Sequence, residues 1–390
     1  MKKYLLIMLC CLTSFPLWSY NVNMIVEHYS VDQGLPNNTV NCTLKDRDGF
    51  IWFGTWYGLC CFDGVKFKTF NKQEHDSDVP PRKIQRIVED KNGYIWVKTI
   101  DRKLYVFNKV TECFHAVYDD MKNYSENIQV IKLQNTAEGD VLLLTKDKNL
   151  LLAGVDEKGQ VTIKILFDSR NEINKHDYTL KHHVLCETEE YISWIGTDYK
   201  VAAVHKGSEL ASRPADFITS KINSGDKDSF TSFFEDGRKV WVGDRAGIFY
   251  SIDVRTGLVN RYVLSEIKGA ISNLLVTPAG YVYLSVAGQG TYEYDLAERR
   301  LQKINTEMND AMVTHAFIDQ YDKIWFHENE KALIYYDPLN HTAKRFPFTM
   351  FGKITTLYSE DAGERGLFFL SPAGEAWLFD REHAEMVYIL

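Results

Sequence analysis

The stretch "DGFIWFGT" at residues 48–55 does not occur once: degenerate copies of it run the length of the chain. Sliding it along recovers "NGYIWVKT" (92–99), "EGDVLLLT" (138–145), "EYISWIGT" (190–197), "RKVWVGD" (238–244), "AGYVYLSV" (279–286), "DKIWFHE" (322–328) and a worn copy near "GLFFLS" (366–371). The eight anchor positions are Trp52, Trp96, Leu142, Trp194, Trp241, Tyr283, Trp325 and Phe368, spaced by 44, 46, 52, 47, 42, 42 and 43 residues. A period of that size restricts the chain to stacked supersecondary units, either propeller blades or helical arrays.

The local pattern chooses between them. The first copy reads as short runs rich in β-branched and aromatic residues, "TVNCTLKD", "FIWFGT", "GLCCFD" and "VKFKTF", with turn residues between and no amphipathic helical period. Asp48-Gly49, Asn92-Gly93, Glu138-Gly139 and Asp236-Gly237 stand just before the anchor strand, where a tight hairpin needs positive φ. Reading "KDRDG" and "EDKNG" as calcium loops fails, because the downstream bidentate glutamate is missing. The expectation is an all-β propeller of four-stranded blades, with the anchor on each second strand buried between neighbouring blades. Five of the eight tryptophans are then core residues, Trp18 lies in the leader, and Trp377 follows the last anchor. Trp56 alone recurs at no equivalent place.

Two closures fit the repeats. In one, seven blades span residues 21–348, "MIVEHYS" (24–30) completes the blade anchored on Trp325, and residues 349–390 begin a second propeller. In the other, eight blades close a single ring. The first is the working expectation.

Residues 1–20, "MKKYLLIMLCCLTSFPLWSY", place two lysines ahead of an apolar run ending near Ser19, the layout of a secretory signal peptide. A membrane anchor and, through Cys10 and Cys11, a lipoprotein are the rival readings. Without its leader the chain goes from a net charge of −8 to −10, with scattered basic residues, so nucleic acid is not an expected partner. Cys42, Cys60, Cys61, Cys113 and Cys186 form neither a disulfide framework nor a zinc spacing, and adjacent His182 and His183 would face opposite ways on a strand. No metal, cofactor or catalytic constellation is expected.

The segment "HYSVDQGLPNNTVNCTLKDRDGFIWFGTWYGLCCFDGVKFKTF" (28–70) resembles the two-component regulator propeller repeat of Bacteroidetes hybrid two-component sensors. That resemblance implies a periplasmic sensor region that recognises glycan-derived oligosaccharides. It also implies further modules, among them a second propeller, a membrane helix and a histidine kinase, none of which is present in these 390 residues. A homodimer is another possible assembly, and any membrane contact would run through the absent modules.

In such a blade "DQGLPNN" (32–38) and "TWYG" (55–58) fall at the same end of the disc. Matching turns of later copies carry Asp101 and Arg102, Lys146 and Lys148, Asp198 and Tyr199, Asp244 and Arg245, Gln289, and His327 with Glu328. Flat rings with polar neighbours are what sugar recognition uses. The candidate ligand residues are therefore Trp56, Tyr57, Arg102, Tyr199, Arg245 and His327. A protein-interaction scaffold, or a propeller hydrolase or lyase, is the alternative use of the same face.

Overall fold

The computed structural model describes residues 29–70, 80–122, 124, 129–169, 180–196, 201–207, 230–304, 313–319, 321–328, 331–351, 358–361, 366–370, 376–380, 383 and 385–388. They form eight antiparallel sheets in chain order, seven of four strands and a fourth sheet of three. Within each sheet consecutive strands are neighbours, and every copy of the repeat supplies one sheet. The first comprises Val40–Lys45, Ile51–Thr55, Gly58–Phe62 and Phe67–Phe70, close to the runs expected from sequence. First strands of successive sheets lie against one another where the first sheet meets the second, the second the third, and again from the fourth through the seventh. First strands thus gather on the inside of the stack and fourth strands lie outside. The signal-peptide reading of residues 1–20 falls outside the described residues.

Apolar clusters join each sheet to the next, from the first–second pair around Trp52 and Ile95 to the seventh–eighth pair around Trp325 and Phe379. All five expected tryptophan anchors are buried, none more than 3% exposed. The eighth copy is a complete sheet, Tyr358–Asp361 to Glu385–Tyr388, packed on the seventh. The outer position of the seventh sheet is taken by its own fourth strand, Thr342–Pro347, which pairs with Ala332–Asp337. Residues 24–28 of the segment expected to complete that sheet lie outside the described residues. Of that segment Tyr29 and Ser30 are described, and the Tyr29 ring packs on Phe62 and Phe67 of the first sheet, 4.9 and 5.3 Å between centroids.

The hairpins before Trp52, Trp96, Trp241 and Trp325 are held by a device that these copies carry in an aspartate. Asp46 Oδ1 accepts the backbone N–H groups of Asp48 and Phe50 at 3.0 and 2.9 Å, while its Oδ2 accepts Trp52 Nε1–H at 2.8 Å. Asp90 does the same for Asn92, Tyr94 and Trp96, Asp236 for Arg238, Lys239 and Trp241, and Asp319 for Tyr321, Lys323 and Trp325. One carboxylate therefore shapes the turn and satisfies an indole N–H that burial would otherwise strand. The glycines that follow, Gly49, Gly93, Gly139 and Gly237, all take φ between +80° and +91°, as the hairpin reading required.

Other charges are less well placed. Glu235 ends the first strand of the fifth sheet, half-buried, and burial followed by the Glu187 charge pushes its pKa to about 7 from the ordinary 4.5. Between those values the unfolded chain gives up a proton that the folded chain keeps, so stability falls as pH rises through this window. Glu235→Gln is expected to flatten that fall in urea midpoints measured from pH 4 to 8. An unchanged slope would place the charge elsewhere.

Candidate functional site

Hydrogen bonds fix which turns share an end of the stack. Trp56 O, in the turn between the second and third strands of the first sheet, accepts Lys83 N at 2.9 Å from the connection entering the second sheet. Lys83 O in turn accepts Ile100 N, and Arg102 O accepts Val130 N at the entrance to the third sheet, both at 2.9 Å. These turns and connections lie together, as the blade geometry required. The opposite end carries the hairpins that precede the anchors, two of which are joined by Lys91 N donating to Gly139 O at 2.7 Å.

Trp56 and Tyr57 are the exposed rings of the first of these turns, 38% and 61% accessible. Thr55 Oγ1 braces the turn by donating to Gly58 O and accepting Tyr57 N–H, at 2.8 and 3.2 Å. Lys83 Nζ stands over the Trp56 ring, 5.2 Å from its centroid, a cation–π contact that fixes one face of the indole. Lys83 is the residue sequence reasoning missed. It lies 27 positions on, in "PPRK", with nothing local to mark it.

The remaining candidates separate. Arg102 is exposed at φ +67°, one sheet along from Trp56, and its charge, after burial, helps depress the pKa of Lys98 behind it. Arg245 is exposed in the fifth sheet, beside buried Asp244, whose Oδ1 accepts Ala246 N and Ile248 N to shape that turn. His327 is half-buried within the second strand of the seventh sheet, across from His315 and 5.3 Å between ring centroids from Phe348. Burial and then His315 lower its pKa, so it belongs to the packing of that sheet more than to an open turn. Tyr199 lies outside the described residues. The structure thus joins Trp56, Tyr57, Lys83 and Arg102 into one continuous stretch and leaves Arg245 and His327 at other stations of the stack.

Elsewhere, three acids converge at the hairpin end: Asp46, Asp48 and Glu89. Lys109 Nζ sits among them at 3.1, 2.8 and 2.8 Å, filling the position of a cation. Burial opposes that ammonium, but the three carboxylates together raise its pKa above the usual lysine value. The thiols of Cys42, Cys60 and Cys61 are free and pushed up by burial to about 11, 12 and 11, which suits packing and not nucleophilic chemistry.

The sheet stack and its inward first strands define a β-propeller. Its likeness to the Dos1 propeller supports that fold: TM-score 0.55 at 13% identity, over 87% of this chain and 91% of the other. Residues 34–57, which include Trp56 and Tyr57, match the family model of the two component regulator propeller. The histidine kinase P4 of Formosa agariphila is 33% identical over 84 residues, covering 20% of this chain and 6% of that protein. The extracellular domain of a putative hybrid two component system from B. thetaiotaomicron aligns over 93% of this chain and 61% of its own, with 14% identity and TM-score 0.43. The chain therefore spans a small part of the kinase and about three fifths of that extracellular domain. Among the described residues no helix is long and apolar enough to cross a membrane.

Proposed function

We propose that this chain is an exported, periplasmic sensory propeller, part of a two-component sensor, and that it binds a glycan-derived oligosaccharide on the turn face around Trp56 and Tyr57. The observation that carries the reading is a pair of exposed rings at a turn whose counterparts in the other copies carry no such pair, inside the segment matching the regulator-propeller model. A sugar ring would lie its C–H face on the open side of the indole, with Lys83 behind the ring and Arg102 one sheet along donating to hydroxyls. The chain performs no chemistry in this reading, and the kinase modules that would receive the signal lie beyond it.

Calorimetric titration of residues 21–390 against an oligosaccharide panel tests it. Binding is expected, and Trp56→Ala with Tyr57→Ala is expected to weaken it at least about tenfold, since each stacked ring contributes on the order of 1 kcal/mol. Wild-type affinity in the double variant would remove the site. Turnover of any glycan would replace the sensor with an enzyme.

A further inference from the structure

The sixth sheet breaks the pattern of its neighbours at two linked positions. Thr277 replaces the clamp aspartate and Tyr283 replaces the anchor tryptophan, so the indole and carboxylate that fill this region in the fifth and seventh sheets are both gone. A cleft of about 500 Å³ opens there between the sixth and seventh sheets. Its walls include Tyr281, Tyr321 and Leu339, and Glu293 lies at its base.

Glu293 is 4% exposed, and the fold does not ask for it. Its strand partner is the anchor Tyr283. The residues paired with the anchors of the other sheets are Cys61, Val106, Leu152, Ala202, Ser251, Tyr335 and Leu378, all neutral. Glu293 Oε2 accepts both Tyr283 O–H at 2.9 Å and Tyr336 O–H at 3.1 Å. With Tyr336 donating there, His341 Nδ1–H donates to the Tyr336 oxygen at 3.2 Å, which fixes that tautomer. Glu293 Oε1 accepts no hydrogen bond from the described residues, and no cation among them pairs with the carboxylate. The ammonium of Lys323, also in the lining, is held by Asp337 at 2.7 Å. A carboxylate so placed, with one oxygen spoken for and the other turned to a cleft with aromatic walls, is a poor structural element and a good receptor for positive charge.

We propose that this cleft binds a small primary organic ammonium with a flat apolar body, its N–H groups donating to Glu293 Oε1 and its body held among Tyr281, Tyr321 and Leu339. The site lies at the hairpin end of the stack, away from Trp56, and is independent of the sugar face. Simple hydroxyl ligands would satisfy the oxygen but leave the buried charge uncompensated, which is the reason to favour a cation.

Benzylamine is the probe and benzyl alcohol its neutral counterpart, both titrated into the 21–390 chain by calorimetry. Benzylamine is expected to bind at least about tenfold more tightly than the alcohol, the scale of one hydrogen bond to a charged group. Glu293→Gln, which keeps the shape and removes the charge, is expected to erase that preference while leaving oligosaccharide binding at Trp56 unchanged. Ala279→Phe, in the exposed turn at the cleft, is expected to block the amine with Glu293 intact, and it decides the matter if thermal unfolding shows Glu293→Gln to have lost its fold. Equal affinity for amine and alcohol, an unaltered preference in Glu293→Gln, or no benzylamine heat at about 10 mM, the weak limit for a specific small ligand, would each overturn the proposal. Failure of sugar binding alone would leave it standing.

Discussion

Trp325→Ala is expected to lower stability by about 3–5 kcal/mol, the range for removing a fully buried large aromatic side chain. Trp325 is 0% exposed. Its ring centroid lies 5.2 Å from Tyr335 in its own sheet and 5.1 and 4.6 Å from Phe369 and Phe379 in the eighth. The same residue thus fills the seventh sheet and fastens the eighth to it. In a stack whose stability is a sum of unit and nearest-neighbour contributions, the damage should be local. Hydrogen exchange of residues 366–370 and 376–380 should accelerate while Ile51–Thr55 stays protected. A uniform rise across all sheets would show that the stack unfolds only as a whole.

Asp90→Ala should rank next, at about 2–3 kcal/mol, because it removes hydrogen bonds to a charged acceptor and leaves a buried donor unmet. Asp90 is 1% exposed, and its oxygens accept from Asn92 N, Tyr94 N and Trp96 Nε1 at 3.0, 3.0 and 2.9 Å. Asp90→Asn keeps an acceptor for the turn but presents an amide N–H to the indole, so its loss should fall between. Urea midpoints at constant m measure both. A loss below about 1 kcal/mol for the alanine variant, the size of an ordinary neutral hydrogen bond, would mean the turn stands without its clamp. The related Asp46 adds a pH signature. Burial works against its carboxylate, but Trp52, Lys109 and the Phe50 backbone N–H together hold its pKa below 3.8. Its contribution is present above the ordinary carboxylate range and is lost as pH falls through the lowered value.

Much of this was legible in the residues. The spacing of Trp52, Trp96, Trp194, Trp241 and Trp325 gave both the repeat and its core, because a ring on a second strand has nowhere to go except between sheets. The glycines at 49, 93, 139 and 237 marked the hairpins, since few other residues accept their φ. The clamp aspartates were equally visible, standing six, six, five and six positions before Trp52, Trp96, Trp241 and Trp325, yet only the turn was read there. The signal was an acid five or six positions before a buried indole, and the chemistry of an indole N–H that must be satisfied would have found it. Glu293 also left a mark. In "GTYEYD" a carboxylate takes the position opposite the anchor, which the other copies fill with neutral residues.

The candidate face was legible only in its first turn. Trp56 and Tyr57 stood out because the repeat did not explain them, but a common turn position was taken to mean a common site. Arg102 and Arg245 stand in turns while His327 falls within a strand, and the sheets space all three around the stack.

By itself, then, the sequence determined the unit: its period, its strands, its hairpins and the rings that bury between copies, all consequences of interactions within about fifteen residues or of one period repeated. Tertiary structure alone decided what meets across the gaps. Lys83 reaches the Trp56 ring from the next sheet, and Tyr336 comes from 43 positions away to share the carboxylate of Glu293 with Tyr283. Such partners follow from how far one sheet sits from the next and which side chains the gap has room for. A local pattern of apolar and polar residues does not encode that distance.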